Sequence, residues 1–237
     1  MKIGGIQKTS LIDFPGRVAA VLFTQGCNMR CPYCHNPSLV LAKQFEEPVD
    51  EKELFDYLER RRGKLDGVVI SGGEPSVHRD LPDFIRRIRA MGYKIKLDTN
   101  GSNPFVLKYL LEGRLLDFVA MDLKGAPDCY EKYCGAAIPT ESINASIHML
   151  MSGEVDYEFR TTAVPGLHTL EDLKALCECI RGARSYAIQA FKPGSCLKED
   201  YCTLPAYDMS DLIREKEWFE ARVKHFELRG APERIEV

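Results

Sequence analysis

The sequence lacks long hydrophobic runs. Its longest uninterrupted apolar run in 237 residues, Val18–Phe23, is six residues long, whereas a membrane-spanning helix needs about 20. The stretch Met1–Arg17 also lacks the apolar segment that a secretory signal requires. We therefore expect no membrane partner and a cytoplasmic location.

An excess of positive charge is also missing. Lys and Arg number 32 and Asp and Glu number 35, which gives a formal net charge of −3. Broad binding to a phosphate backbone depends on a basic surface. We therefore expect that nucleic acid is not a partner.

Linkers and disorder-promoting segments are scarce as well. Hydrophobic residues make up 45% of the chain and charged residues 28%, which is typical of a globular protein. No stretch rich in Pro, Gly or Ser divides the sequence, and its length suits one large domain. We predict a single domain over residues 1–237, with an N-terminal extension (1–16), a core (17–192) and a C-terminal tail with a helix (193–237).

Short β-type runs alternate with helical patterns along the chain. The predicted strands, apolar and partly β-branched, are Arg17–Thr24, Gly67–Ser71, Lys94–Thr99, Asp117–Lys124, Tyr157–Val164 and Tyr186–Phe191. Apolar residues recur at helical spacing between them, as from Leu81 to Met91. Asn103 is the expected cap of another helix, and a last helix is predicted over about Met209–Phe226.

Six strand-then-helix units in series predict an α/β fold with parallel strands and outer helices. Six units are fewer than the eight of a closed barrel, so an open partial TIM barrel, (β/α)6, fits the length. A doubly wound sheet is the alternative, since periodicity does not separate the two. In either fold the active site lies at the carboxyl ends of the strands.

Cysteine, in contrast, is abundant, with nine residues. Cys27, Cys31 and Cys34 follow the first predicted strand with the spacing C-x3-C-x2-C. Three thiolates on a short loop can hold one face of a cubic iron–sulfur cluster and leave one iron open. With His35 as a fourth ligand, the same loop could form a closed zinc site. An enzyme and a non-enzymatic electron carrier or zinc module are therefore both compatible with the triplet.

The triplet resembles that of the radical S-adenosylmethionine (radical SAM) superfamily. The wider stretches Ser10–Arg17, Leu22–Cys27 and Cys34–Pro37 are similar to the activases of glycyl radical enzymes. Within these they most resemble the short activating proteins of anaerobic (class III) ribonucleoside-triphosphate reductase, and they are also similar to pyruvate formate-lyase activase. The resemblance extends over roughly Ile3 to Lys192.

This resemblance implies a cofactor set and a reaction. Cys27, Cys31 and Cys34 would be the catalytic ligands of a [4Fe–4S] cluster whose open iron takes the amino and carboxylate groups of S-adenosylmethionine. One electron, from a donor such as a flavodoxin or ferredoxin, would cleave this cofactor to methionine and a 5′-deoxyadenosyl radical. The radical would abstract hydrogen from a glycine of a partner enzyme, expected to be the anaerobic ribonucleotide reductase. The usual fold is a six-unit partial barrel, which agrees with the strand count.

Motifs at the next strand ends complete the predicted site. Gly72 and Gly73 let the backbone approach a ligand closely, although a plain strand-to-helix turn explains them equally well. The resemblance implies that the turn receives the methionine ammonium, with Glu74 helping to bind that charge or orienting the turn. It also implies cofactor contacts for Tyr33, which precedes the last cysteine of the triplet.

Polar residues also follow the third and fourth predicted strands: Asp98, Thr99, Asn100, Asp122 and Lys124. Turn formation and a solvated lysine are the alternatives. The resemblance implies that Lys124 forms a salt bridge with the methionine carboxylate and that Asp98 and Asn100 also bind the cofactor. It further implies a monovalent-cation site formed by Asp98, Thr99 and Asp122, whose oxygen ligands suit a hard cation.

Two further cationic residues are predicted to bind the cofactor. Arg160, on the fifth predicted strand, is placed by the resemblance near the carboxylate or ribose; the alternative is an ion pair inside the barrel. Lys192 stands where activases often have a histidine that contacts the adenosine.

The remaining cysteines suggest fewer roles. Cys177 lies on an apolar helix face and is predicted to be a core residue. The pairs Cys129/Cys134 and Cys196/Cys202 could together bind a second metal centre.

Few residues follow the sixth strand, so we expect an open barrel mouth that suits a protein substrate. A radical SAM enzyme acting on another glycyl radical enzyme or on a small molecule is the alternative.

Overall fold

The computed structural model describes residues 1–126 and 130–230. One sheet contains eight strands: β1 (Ile3–Ser10), β2 (Ala19–Thr24), β3 (Gly67–Gly72), β4 (Lys94–Thr99), β5 (Phe118–Asp122), β6 (Asp156–Ala163), β7 (Tyr186–Ala190) and β8 (Phe226–Arg229). The α-helices are α1 (Pro37–Val40), α2 (Glu51–Arg61), α3 (Leu81–Ala90), α4 (Pro104–Glu112), α5 (Tyr130–Cys134), α6 (Thr140–Ser152), α7 (Leu170–Cys179), α8 (Glu199–Cys202), α9 (Ser210–Arg214) and α10 (Lys216–Glu220). Short 3-10 helices cover Ala42–Gln44 and Pro75–Val77.

The strands follow one another in the sheet in the order of the chain. β1 is antiparallel to β2, and each later neighbouring pair is parallel. A doubly wound sheet reverses its strand order at a switch point, and this sheet does not. Its two edges are β1 and β8, so within the described residues the sheet is open.

The sheet curls into a partial barrel. β2 and β7 are five strand spacings apart, which would be about 24 Å in a flat sheet. His35, in the loop after β2, nevertheless donates from Nε2 to the carbonyl oxygen of Lys192, just after β7, at 2.8 Å. Glu158 on β6 and Arg229 on β8, which are separated by one strand, form an ion pair at 2.9 Å. The prediction of an open partial barrel with outer helices is therefore confirmed.

The main hydrophobic core includes the helix faces that pack on the sheet. On α3 the buried side chains are Leu81, Phe84, Ile85 and Ile88, at the spacing predicted for one helix face. Cys177 on α7 is fully buried, as predicted. No helix in the described ranges is long and apolar enough to cross a membrane.

All six predicted strands are present, with ends that differ by no more than two residues, but the sheet contains two more. β1 lies in the predicted N-terminal extension, where two adjacent glycines and the exposed run Gln7–Thr9 hide the alternation of a strand. The single helix predicted over about Met209–Phe226 is wrong. The stretch contains two short helices, α9 and α10, separated at Glu215, and Phe226 is the first residue of β8. The apolar residues of this stretch pack instead at a corner between α10 and β8. There the ring of Phe226 stacks on the ring of Phe219, with 4.8 Å between the ring centroids.

This corner generates a stability prediction. Phe219 is fully buried between α10 and β8, so Phe219→Ala should lower the free energy of unfolding by about 3–5 kcal/mol, measured by urea denaturation. Phe105→Ala is the control, because Phe105 is 84% exposed on α4; its effect should stay within about 0.5 kcal/mol. Similar losses in both variants would contradict the packing of β8 described above.

Candidate active site

A cavity of about 210 Å³ lies at the carboxyl ends of the strands. The predicted site residues that line it are Cys27, Cys31, Tyr33, Cys34, Gly72, Gly73, Glu74, Asp98, Thr99, Asn100, Asp122, Lys124 and Arg160. They come from the ends of five consecutive strands, β2 to β6, which confirms that the strand-end motifs meet. A larger groove of about 930 Å³ runs along α4 and α6 and has none of the predicted site residues in its lining, so we place the chemistry in the smaller cavity.

The cysteine loop, residues 27–34, is fixed by backbone hydrogen bonds to distant segments. The Arg30 amide donates to the carbonyl of Cys134 at 2.8 Å, and the Lys198 amide donates to the carbonyl of Pro32 at 2.9 Å. Burial raises the pKa of Cys27 to about 11 and that of Cys31 to about 12. Both thiols are therefore protonated near neutral pH, and metal binding must displace their protons.

The donor set fits an iron–sulfur cluster better than a single zinc ion. Across residues 1–126 and 130–230, no three His, Cys, Asp or Glu side chains, the triplet included, are grouped closely enough to hold one metal ion. His35, the fourth ligand of the zinc alternative, stacks on Phe191 at 5.2 Å and hydrogen-bonds to the Lys192 carbonyl. Three cysteines around one cavity, without a fourth protein ligand, are the set that a cluster with an open iron requires.

The glycine turn after β3 packs directly on the end of β2. Gly72 has a φ of +106°, and a Cβ there would lie 2.3 Å from the Thr24 nitrogen; a Cβ on Gly73 would lie 2.0 Å from the Gly26 oxygen. Both positions therefore require glycine. The Gly73 and Glu74 amides donate to the carbonyls of Thr24 and Gly26, each at 2.8 Å, which fixes the turn beside the cysteine loop.

Glu74 joins this turn to the loop after β4. Its buried carboxylate accepts hydrogen bonds from the Ser76 amide at 3.0 Å, the Thr99 hydroxyl at 2.8 Å and the Asn100 amide at 2.6 Å. Burial raises the pKa of Glu74, although these hydrogen bonds oppose the shift. Of the two roles predicted for Glu74, these contacts favour orientation of the turn.

Asn100 reaches from the same loop to the cysteines. Its side-chain amide donates to the Asn28 side-chain oxygen at 3.0 Å and lies 4.0 Å from the Cys27 sulfur. Hydrogen-bond donors near a ligating sulfur tune the potential of a cluster. The structure thus places Asn100 beside Cys27, a predicted cluster ligand, and the predicted contact of Asn100 with the cofactor also stays a prediction.

A row of alternating charges crosses the floor of the cavity from Lys96 through Asp98, Arg160 and Asp122 to Lys124. The successive nitrogen–oxygen distances are 2.9, 3.5, 2.9 and 3.1 Å. Burial alone would raise the pKa of Asp122, but the Arg160 and Lys124 cations hold it well below its usual range. The same carboxylate holds the pKa of Lys124 above its usual range against the effect of burial, so both residues of this pair are charged.

Most oxygens of the predicted monovalent-cation site have hydrogen-bond partners. The exception is Asp98 Oδ1, which is buried and has no hydrogen bond within the described residues, although Lys96 Nζ lies 2.9 Å away. Asp98 pairs with Lys96 and accepts from the Ser71 hydroxyl at 3.0 Å. Asp122 pairs with Arg160 and Lys124, and the Thr99 hydroxyl donates to Glu74. Protein cations and donors thus contact most of these oxygens, Asp98 Oδ1 accepts no hydrogen bond from the described residues, and the cation site stays a prediction.

Three residues that support Lys124 from outside the cavity lining, Tyr130, Tyr133 and His168, were missed by the sequence analysis. The Lys124 amide donates to the Tyr130 hydroxyl at 3.2 Å, and the Lys124 carbonyl accepts from His168 Nε2 at 2.9 Å. The His168 ring stacks on Tyr133 at 4.9 Å. A Cβ on Gly125 would lie 2.0 Å from the Tyr133 ring. Together these residues hold the backbone of Lys124, but no local motif in the sequence marks them.

Two predictions on individual residues remain open. Lys192 is exposed and is not among the residues that line the cavity; its carbonyl, not its ammonium, contacts His35. Its role toward the cofactor stays a prediction. Cys129, one of the four cysteines considered for a second metal centre, lies outside the described residues, and the Cys134 thiol donates to the Ala136 carbonyl.

Comparison with known proteins identifies the family of this site. The profile of the Radical SAM superfamily matches residues 21–180, which include the cysteine triplet and the first five predicted strand ends. The chain belongs to the Radical SAM superfamily. Radical SAM enzymes use a [4Fe–4S] cluster and S-adenosylmethionine, and the residues that line the cavity fit both groups.

Relatives of this radical SAM protein include activases. It is 34% identical over 208 residues to a candidate glycyl-radical enzyme activating enzyme of Methanocaldococcus jannaschii, covering 86% of this chain and 85% of that protein. It is 34% identical over 137 residues to the pyruvate formate-lyase 1-activating enzyme of Escherichia coli, covering 54% of this chain and about half, 53%, of the relative. The fold is similar to that of Streptococcus suis SuiB bound to S-adenosylmethionine, with a TM-score of 0.64 and 15% identity over 89% of this chain and 52% of SuiB.

Because His168 is buried and hydrogen-bonded as a neutral ring, we expect the free energy of unfolding to depend on pH. Burial lowers the pKa of His168 from 6.5, and its Nδ1 accepts from the Val164 amide at 3.1 Å, so the folded state keeps the ring neutral. As the pH falls through about 6.5, the unfolded chain gains a proton that the folded chain does not, and the free energy of unfolding decreases. In His168→Gln, urea denaturation between pH 7.5 and 5 should show a smaller decrease. The control His148→Gln, at an exposed position on α6, should match the unmodified protein; an unchanged decrease in His168→Gln would contradict this account.

Proposed function

We propose that the chain activates a glycyl radical enzyme, and that this partner is the anaerobic (class III) ribonucleoside-triphosphate reductase. The observation that carries the proposal is the cavity in which three cysteines meet Lys124 and Arg160 at the open end of the barrel. The similarity to a candidate activase, which extends over most of both chains, supports the activase class. The resemblance of the cysteine region supports the choice of the reductase.

Each group at the cavity has a proposed task. Cys27, Cys31 and Cys34 hold the cluster, and the carbonyls of the Gly72–Gly73 turn receive the methionine ammonium. When bound, the cluster and S-adenosylmethionine supply a 5′-deoxyadenosyl radical, after a donor such as a flavodoxin or ferredoxin provides an electron. Glu74 holds the turn in place, and Asn100 donates toward the sulfur of Cys27.

Lys124 is proposed to bind the methionine carboxylate. An ammonium has three N–H donors, and the hydrogen bond that the structure gives this side chain goes to Asp122 at 3.1 Å. Asp122 keeps Lys124 charged, and Tyr130 and His168 hydrogen-bond to its backbone amide and carbonyl. Arg160, on the neighbouring strand, is proposed to contact the carboxylate or the ribose.

The position of the chain after β7 supports a protein substrate. Of the residues that the structure describes, those lining the cavity fall between Cys27 and Gln189. The later segment forms α8, α9 and α10 and adds β8 to the edge of the sheet. A glycine loop of a partner can therefore approach the carboxyl ends of the strands, and a stable complex of this kind should bury at least about 1,000 Å².

The proposed role of Lys124 can be tested by binding. Lys124→Ala removes a charge-assisted contact worth about 1.5–3 kcal/mol, so the affinity for S-adenosylmethionine should fall about 10- to 100-fold. Anaerobic isothermal titration of cluster-loaded protein measures this, with iron content as the check that the cluster is retained. Lys108→Ala, on the exposed surface of α4, is the control. An unchanged affinity in Lys124→Ala would exclude the role.

The activase reaction itself can be observed by electron paramagnetic resonance. Cluster-loaded protein is incubated without oxygen with a reductant, S-adenosylmethionine and an anaerobic ribonucleotide reductase; a parallel sample contains pyruvate formate-lyase. We expect a glycyl-radical doublet in the reductase sample, formed together with 5′-deoxyadenosine and absent without S-adenosylmethionine. A doublet with pyruvate formate-lyase alone would move the proposal to that partner. Consumption of a small metabolite with 5′-deoxyadenosine and no protein radical would refute the activase function.

A further inference from the structure

The segment after β7 packs against the outside of the cysteine loop. The Lys198 amide donates to the carbonyl of Pro32 at 2.9 Å, and Pro32 lies between the two cluster ligands Cys31 and Cys34. This contact joins α8 and the residues before it to the loop that must retain the iron. Opening of this segment would therefore expose the cluster ligands from the side opposite the cavity.

Two cysteines with no task in the proposed reaction flank this contact. Cys196 is 8% exposed, and Cys202, at the end of α8, is half-buried. The Cys202 thiol donates to the carbonyl oxygens of Cys196 and Lys198, and its sulfur lies 3.8 Å from each. This contact holds the two cysteine residues next to each other, as formation of an S–S bond of about 2.05 Å requires.

We propose that Cys196 and Cys202 form a reversible disulfide that stiffens residues 196–202 where they contact the cysteine loop. The oxidant is a small-molecule or protein disulfide. The Cys202 sulfur, the more exposed, attacks it to form a mixed disulfide and release one thiol. The Cys196 sulfur then attacks Cys202, forming the internal S–S bond and releasing the second thiol. The two thiol hydrogens pass to the two released thiols, so the oxidant is reduced by two electrons and the pair is oxidised by two.

Closure of this bond would affect retention of the cluster. The bond closes a ring of seven residues that contains Lys198, whose amide binds the cysteine loop. A short ring removes conformational freedom from the open segment and so disfavours opening. Oxidation is therefore expected to slow the loss of iron, whereas reduction returns the segment to its freer state. The site does not depend on the identity of the partner enzyme.

Peptide mapping tests the disulfide directly. Cluster-loaded protein is equilibrated without oxygen in buffers of reduced and oxidised glutathione, alkylated and digested with trypsin. Cleavage after Lys198 separates the two cysteines, so a Cys196–Cys202 bond joins peptide 185–198 to peptide 199–214. We expect the joined peptide to increase with the oxidised fraction, to vanish in Cys202→Ser and to persist in the control Cys179→Ser. Its absence at every ratio, or a joined Cys34–Cys196 product instead, would overturn the proposal.

Iron release to a chelator tests the consequence. Oxidised protein should lose iron about tenfold more slowly than reduced protein, in line with the freedom lost on closing a short ring. Cys202→Ser and Cys196→Ser should show no difference between the two buffers. A disulfide that leaves the release rate unchanged would overturn the proposed effect on iron retention. No partner enzyme is present in either experiment, so failure here is distinct from failure of the activase function.

Discussion

The row of ion pairs from Lys96 to Lys124 is the constraint on which both the barrel and its site depend. A buried charge without a partner costs several kcal/mol, so the strands that bear these residues must keep a register that pairs them. Asp122 on β5 stands directly beside Arg160 on β6, and Arg160 also contacts Asp98 on β4. The three strands therefore bring their polar ends to one wall of the cavity. The pairing that satisfies the fold also keeps Lys124 charged at the place where an anionic group of the cofactor is proposed to bind.

The cysteine loop depends on contacts outside the motif that defines it. Its backbone hydrogen-bonds to Cys134 at the end of α5 and to Lys198 near α8, and Asn100 approaches it from the loop after β4. Glu74, with three hydrogen bonds in a buried position, links that last loop to the glycine turn. The thiols are thus held by contacts from three other segments of the chain, and metal binding must remove protons from buried sulfurs with raised pKa values.

The sequence predicted the parts of this molecule that follow local rules. Strands of buried, β-branched residues were found to within two residues, and the rule that function lies at the carboxyl ends of parallel strands brought together residues as distant as Cys27 and Arg160. β1 and β8 were missed because an edge strand and a four-residue strand have weak alternation. His168 was missed because its importance lies in one hydrogen bond to the carbonyl of Lys124, which only the folded chain creates.

The central claim is that Cys27, Cys31 and Cys34, and no other cysteines, hold one cluster. Iron and acid-labile sulfide, counted after anaerobic reconstitution, test it most directly. The unmodified protein and the control Cys179→Ser should each contain about four irons and about four sulfides per chain, as one [4Fe–4S] cluster requires. Each single alanine substitution in the triplet should abolish stable cluster assembly. A triple variant that still binds about four irons would contradict the account, because the cluster would then be held elsewhere.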